Sequence, residues 1–127
     1  MGEFIFLIRK DPDTSHTLTP DKHQEFLKSC ESYIEQLKKD NKLIAAQPME
    51  RAGNIICYYG GDWSFTPFDE KNDIIGGYYL IRANDLNEAI EIAKGNPEFK
   101  FYSGSRVEVR PLKSQEANTG FQYPNKS

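Results

Sequence analysis

Three segments of this sequence have the composition of β-strands that are apolar on both faces: EFIFLI, NIICYY and IIGGYYLI. Aromatic and β-branched side chains favour strands. In the first segment Phe4 and Phe6 alternate with Ile5 and Leu7, so each face of the strand carries apolar residues. Antiparallel sheets usually keep one face polar, because that face meets water. A sheet built from these strands therefore needs cover on both sides.

Two helices are predicted, and they limit how much of the sheet one chain can cover. The first begins with Thr19 as N-cap and Pro20 as first helical residue, and it runs to about residue 40. Its apolar stripe consists of Phe26, Leu27, Cys30, Tyr33, Ile34 and Leu37. The second begins with a capping box formed by Asp85 and Glu88 and ends near Gly95.

The order of the elements predicts an α+β sandwich with an antiparallel sheet. A strand and a helix are followed by two strands or a hairpin around residues 50–54, then by a strand, a helix and the strand VEVRPL. The stretch GGDWSFTPFDEKND is predicted to be a long irregular loop. Two helices cover one face of the sheet, and a second copy of the sheet is the expected cover for the other. The alternative is a monomer in which the long loop and the C-terminal tail fold over that face.

Composition excludes several classes of protein. The chain carries 16 Lys and Arg against 19 Asp and Glu, a net charge of −3, so direct binding of nucleic acid is not expected. The start MGEFIFLIRK does not resemble a signal peptide, and no segment approaches the ~20 apolar residues of a membrane span. Cys30 and Cys57 lie in apolar segments and are predicted to be buried free thiols, which fits a cytoplasmic protein.

Neither a cofactor nor a metal is indicated. Gly76 and Gly77 precede a strand, whereas a dinucleotide-binding glycine loop follows one, so they are interpreted as a bulge or as a close approach to a neighbouring chain. The regular spacing of His16, His23 and Cys30 does not form a zinc site. Two helical turns place His23 and Cys30 roughly 10 Å apart, and zinc ligands lie about 2 Å from the ion.

Two long segments carry a resemblance to a known family. IIGGYYLIRANDLNEAIEIAKGNPEF with VEVRPL resembles the second half of the YCII-related proteins, in particular the branch named for a DGPF tetrapeptide. LTPDKHQEFLKSCESYIEQLKKDNKLIAAQPM resembles the first helix and the following strand of that family. The resemblance implies a ferredoxin-like βαββαβ domain in residues 1–112, which dimerises sheet to sheet as a dimeric α+β barrel. A polar tail in residues 113–127 follows it.

The departures from the family pattern bear on function. The DGPF tetrapeptide falls on residues 65–68, where only Pro67 and Phe68 match it. The His and Asp proposed as an acid/base pair in some YCII proteins fall on Cys30 and Asn96, which cannot do that work unchanged. The resemblance therefore implies a non-catalytic module that binds a small ligand or has a regulatory or accessory role. The alternatives are an enzyme with a degenerate acid/base site and a transcription-linked protein-interaction module.

Candidate site residues come from the first helix and the long loop. His23 precedes Phe26 and Cys30 by three and seven positions, so it is predicted to face the sheet or the edge of a pocket. There it is either a general base oriented by Asp69 or Asp73, or a helix residue with a structural hydrogen bond.

Three aromatic residues make the long loop unusual, namely Trp63, Phe65 and Phe68. They are predicted either to line a ligand pocket or to pack against the sheet edge or a partner subunit. In the first case Arg9, Arg82 or Asp69 would orient a small molecule.

Overall fold

The computed structural model describes residues 1–11, 18–67 and 74–123. Phe68, Asp69, Asp73 and His16, which figure in the predictions above, lie outside these ranges. The elements are β1 (Gly2–Lys10), α1 (Pro20–Lys39), β2 (Leu43–Pro48), β3 (Asn54–Tyr59), β4 (Asp62–Pro67), β5 (Ile74–Ala83), α2 (Leu86–Lys94), α3 (Glu98–Phe101) and β6 (Arg106–Pro111).

The main sheet has the order β2-β5-β1-β6, and its neighbouring strands are antiparallel. Strand β1 lies inside the sheet, between β5 and β6. When the separate β3–β4 hairpin is set aside, the remaining elements have the order βαββαβ. This is the ferredoxin-like α+β fold, as predicted.

One face of the sheet forms the core with the helices. Phe4, Phe6 and Ile8 of β1 and Tyr79, Ile81 and Ala83 of β5 pack with Leu37 of α1 and Ala89 and Ala93 of α2. Phe6 and Ile81 are each 0% exposed. The period of two along both strands brings these side chains to the same face, because alternate residues of a strand point in the same direction.

The opposite face of the sheet, called the outer face below, is also apolar. Ile5 lies opposite Leu80, and Leu7 lies opposite Tyr78. All four side chains are half-buried. The two-faced character of β1 and β5 predicted from sequence is thus present in the fold.

The prediction of a long irregular loop is wrong for Asp62–Pro67, because these residues form strand β4. This strand pairs with β3, with Tyr58 opposite Trp63 and Ile56 opposite Phe65. Gly60 and Gly61 join the strands with φ angles of 60° and 87°. Two central residues with positive φ are what a tight hairpin turn requires, and glycine adopts them without strain. Both predicted strands on either side of residues 50–54 exist, but β2 pairs with β5 and not with β3.

Helix capping follows the sequence closely. The Thr19 side chain accepts a hydrogen bond from Lys22 N, and Pro20 is the first helical residue of α1. At α2, Asp85 Oδ1 accepts from Glu88 N at 2.8 Å. The second hydrogen bond of the predicted capping box is different. The Glu88 carboxylate accepts a hydrogen bond from Asn84 N, whereas a capping box requires one from Asp85 N.

The C-terminal tail is described as far as Tyr123, and this part closes on itself. Gln115 bridges to Gln122, and the Tyr123 hydroxyl donates to Glu116 Oε2 at 2.7 Å. Most of residues 113–123 are exposed.

At Gly77 the backbone of β5 approaches the backbone of β2 closely within the sheet. A Cβ there would lie 2.9 Å from Gln47 O and 3.1 Å from Pro48 Cα of the neighbouring strand.

We expect Gly77→Ala to lower the free energy of unfolding by about 1–3 kcal/mol in urea titrations, because the backbone of β2 must move. Gly76→Ala is the matched control, since its Cβ would meet only the Lys10 side chain, at 3.4 Å. Equal midpoints for the two variants would contradict the prediction.

Candidate functional site

A cavity of about 260 Å³ lies between α1 and the end of the sheet where β2 and β5 meet. Its volume corresponds to roughly nine water molecules, which is room for a small organic molecule. The lining residues are Ile8, Phe26, Leu27, Cys30, Ile34, Ala46, Gln47, Pro48, Gly76, Gly77, Tyr78, Tyr79 and Glu98. Most of this lining is apolar, as is usual for ligand-binding pockets.

The local structure shows which elements line the cavity. Phe26, Cys30 and Ile34 are four residues apart on α1, so one face of the helix presents all three to the cavity. On the sheet side, Gly77 lies opposite Ile8 in the β1–β5 register. Gly77 lines the cavity with backbone alone, because the β2 backbone lies 2.9 Å from the position that its Cβ would take.

The Glu98 carboxyl group lines the cavity at its polar end, and the ammonium group of Lys10 pairs with it. Lys10 Nζ lies 3.6 Å from Glu98 Oε2, and the two side chains are only 18% and 13% exposed. Lys10 Nζ also lies 4.1 Å from the centroid of the Tyr102 ring, where it makes a cation–π contact. Burial raises the pKa of the Glu98 carboxyl, and the nearby Lys10 charge opposes that shift. Within the described ranges, Glu98 Oε2 has no partner at hydrogen-bonding distance.

Next to this pair lie two groups that burial keeps protonated. Burial raises the pKa of the Cys30 thiol to about 11, with a further contribution from the Glu98 charge. Burial likewise raises the pKa of Tyr79 to about 12, and interactions with Cys30 and Glu98 add to the effect. Both groups are therefore neutral near pH 7 and add no charge beside the Lys10–Glu98 pair.

The structure brings together the two positions that the family resemblance assigns to an acid/base pair. Cys30 and Asn96 both interact with Tyr79. Asn96 is 2% exposed, and its Oδ1 accepts from Glu98 N at 2.9 Å at the start of α3. An amide does not titrate, and a thiol with a raised pKa is a poor proton carrier. The expected pair is thus replaced by two groups that stay neutral.

The described candidates predicted from sequence lie elsewhere. His23 is exposed on α1, with its ring 6.5 Å from that of Phe26, which does line the cavity. Arg9 pairs with Glu108 at 2.8 Å. Trp63 and Phe65 are 66% and 67% exposed on the hairpin. None of these four residues lines the cavity, so their ligand-binding roles remain predictions.

The expectation of two buried thiols is wrong for Cys57 and only partly met for Cys30. Cys57 is exposed and Cys30 is half-buried. Cys57 lies on β3, whose six residues are all exposed. Its apolar sequence neighbours therefore do not bury it, because the hairpin does not enter the core.

Neither a metal-binding cluster nor a membrane-spanning helix is found in the described ranges. They contain no group of three His, Cys, Asp or Glu side chains placed to hold a metal ion. No helix in the same ranges combines the length and the apolar character needed to cross a membrane.

Comparison with known proteins agrees with the fold. The family model of the YCII-related domain matches residues 3–113, and this chain belongs to that family. Its place in the DGPF branch remains a prediction. No curated protein sequence matches the chain.

One solved structure that matches is 5-chloro-2-hydroxyhydroquinone dehydrochlorinase from Burkholderia phenoliruptrix AC1100, in complex with 2,5-dihydroxybenzoquinone. It is 20% identical with a TM-score of 0.45, and the match covers 82% of this chain and 90% of that one. Both the identity and the TM-score are low, so nothing about activity is transferred from that enzyme.

Proposed function

We propose that this protein is a homodimeric module that binds a small organic molecule in the cavity between α1 and the sheet. Its role is that of a ligand-binding, regulatory or accessory protein rather than of an enzyme. The observation that carries the proposal is the apolar cavity of about 260 Å³ with the Glu98 carboxyl at its polar end. Such a combination of apolar walls and one well-placed polar group is typical of small-molecule sites.

The chemistry around the cavity favours binding over catalysis. Cys30 and Asn96 occupy the acid/base positions of the family and stay neutral near pH 7. If the protein is an enzyme, the proton-transfer role falls to Glu98, which lines the cavity, rather than to His23, which does not. Loss of a discovered turnover in Glu98→Gln but not in His23→Ala would support that alternative.

The outer face supports the homodimer. Two cross-strand apolar pairs occupy it, Ile5 with Leu80 and Leu7 with Tyr78. Sheets that leave an apolar face open usually bury it against a partner. A second copy of the same face is a self-complementary partner, because a two-fold axis brings identical patches together.

The hairpin adds a second apolar surface. One of its faces carries Ile56, Tyr58, Trp63 and Phe65, which are 58–67% exposed. A two-stranded hairpin is at best marginally stable alone in water. Packing of this face against the second subunit would bury these side chains and stabilise the hairpin.

Filling the cavity is expected to abolish ligand binding. Neutral aromatic compounds of about ten non-hydrogen atoms should shift the amide NMR signals of residues around Cys30 and Gly77, since these line the cavity. In Ile34→Trp the indole would occupy the space, and we expect at least a tenfold loss of affinity. Ile90→Trp on α2 is the matched control, because Ile90 is 37% exposed and does not line this cavity. Shifts confined to other surfaces would contradict the proposal.

A further inference from the structure

We infer that the ligand of this cavity is a neutral, largely apolar molecule with one hydroxyl group, which donates a hydrogen bond to the Glu98 carboxylate. The inference rests on the proposed function and names the chemical class of its ligand.

The missing partner at Glu98 is the first argument. Oε2 is buried, has no hydrogen-bond partner among the described residues, and lies 3.6 Å from Lys10 Nζ. A buried acceptor without a partner costs about 1–3 kcal/mol, and more when it is charged. Glu98 lines the cavity, and the terminal torsion of a glutamate is soft, so a rotation about it would turn this oxygen toward the bound molecule. A ligand that donates a hydrogen bond to Glu98 therefore supplies the partner that this oxygen lacks in the free protein.

The charges of Lys10 and Glu98 offset each other, and this favours a neutral ligand. Glu98 and Lys10 form an ion pair, and Cys30 is protonated near pH 7. A ligand carboxylate would lie against the Glu98 carboxylate. A ligand ammonium that reached the same oxygen would approach Lys10 Nζ. Burying a charge without a compensating partner costs far more than a neutral hydrogen bond returns.

The remaining walls determine the body of the ligand. The Phe26 and Tyr79 rings and the side chains of Ile8, Leu27 and Ile34 line the cavity. These groups offer dispersion contacts and no further charge. A molecule of one ring, or of similar size, with a single hydroxyl group at one end matches both the apolar walls and the polar end.

A matched series of compounds tests this class. The probes are ethylbenzene, 2-phenylethanol, its methyl ether, 2-phenylethylamine and 3-phenylpropanoate, each titrated against the protein by NMR. We expect 2-phenylethanol to bind about 10–100-fold more tightly than ethylbenzene or the ether, because only the alcohol donates a hydrogen bond to a charged acceptor. The amine and the carboxylate are expected to bind no better than ethylbenzene.

Variants locate the effect. Glu98→Met should reduce the preference for the alcohol to less than about threefold while ethylbenzene still binds. Glu91→Met removes the same charge from an exposed site, where Glu91 pairs with Lys94, and should leave the preference intact. If Glu98→Met does not fold, the ranking of the five compounds with the unaltered protein decides the question.

The possible failures are distinct. Equal affinity for 2-phenylethanol and ethylbenzene at the cavity overturns the ligand class and leaves the proposed function standing. Tighter binding of the amine or the carboxylate overturns the requirement for neutrality. If none of the compounds shifts the signals of cavity residues, the proposed function fails, and the ligand class fails with it.

Discussion

Replacement of Leu80 by lysine is expected to convert the proposed homodimer into a monomer. Leu80 lies on β5 opposite Ile5, in the middle of the outer face. In a two-fold dimer the substitution places an ammonium group of each subunit in an apolar interface. Because an unpaired buried charge costs several kcal/mol, we expect the dissociation constant to rise at least about 100-fold.

Multi-angle light scattering at micromolar concentration measures this directly. The unaltered protein should give twice the chain mass of 14.6 kDa, and Leu80→Lys should give that mass itself. Leu86→Lys is the control, because Leu86 is 43% exposed at the start of α2, in the helical layer. A monomeric unaltered protein would exclude the homodimer. A dimeric Leu80→Lys variant with a native circular dichroism spectrum would move the interface away from the outer face.

The thiol of Cys30 is expected to react with iodoacetamide about 200-fold more slowly at pH 8 than an ordinary cysteine. Burial raises its pKa to about 11. The thiolate is the reactive form, and at pH 8 it makes up roughly a thousandth of such a thiol against about a quarter of one with a pKa of about 8.5. Because a raised pKa removes thiolate below that pKa, the rate should increase about tenfold per pH unit between pH 7 and 10.

The measurement uses the Cys57→Ser variant, so that Cys30 is the only thiol in the chain. The same variant unfolded in guanidinium chloride is the control, and its rate should level off above about pH 9.5, roughly one unit above the ordinary thiol pKa. Restricted access lowers the rate at every pH, whereas a raised pKa changes the shape of the profile. A rate that levels off above about pH 9.5 in the folded protein, as for an ordinary thiol, would contradict the effect of burial on Cys30.

Much of the fold could be predicted because local patterns carry it. The alternation of Phe4 and Phe6 with Ile5 and Leu7 indicates a two-faced strand, and Thr19 with Pro20 indicates the start of α1. These features depend on residues within a few positions of one another. Strand β4 was missed, although Gly60 and Gly61 between two strand-like segments are a hairpin signal. Asp62 and Ser64 alternate with Trp63 and Phe65, a period of two that also indicates a strand and that the loop interpretation overlooked.

The candidate site could not be predicted in the same way. Lys10 and Glu98 are 88 positions apart in the numbering, and neither belongs to a recognisable motif. Helix α3, which carries Glu98, has only four residues. A helix this short shows no helical period, so no sequence signal marked the position. The predicted candidates were instead His23 and several aromatic residues. These residue types are common in functional sites, so they can be proposed without knowledge of the tertiary structure.

The sequence by itself determined the ferredoxin-like fold, the caps of its helices and the apolar character of both sheet faces. Each of these follows from side-chain periodicity and backbone preference, which act over a few residues. Only the tertiary structure decided that a cavity remains between α1 and the sheet and that Lys10 pairs with Glu98, which lines it. That meeting depends on how strands and helices distant in sequence pack together, and burial then sets the charge states that define the site.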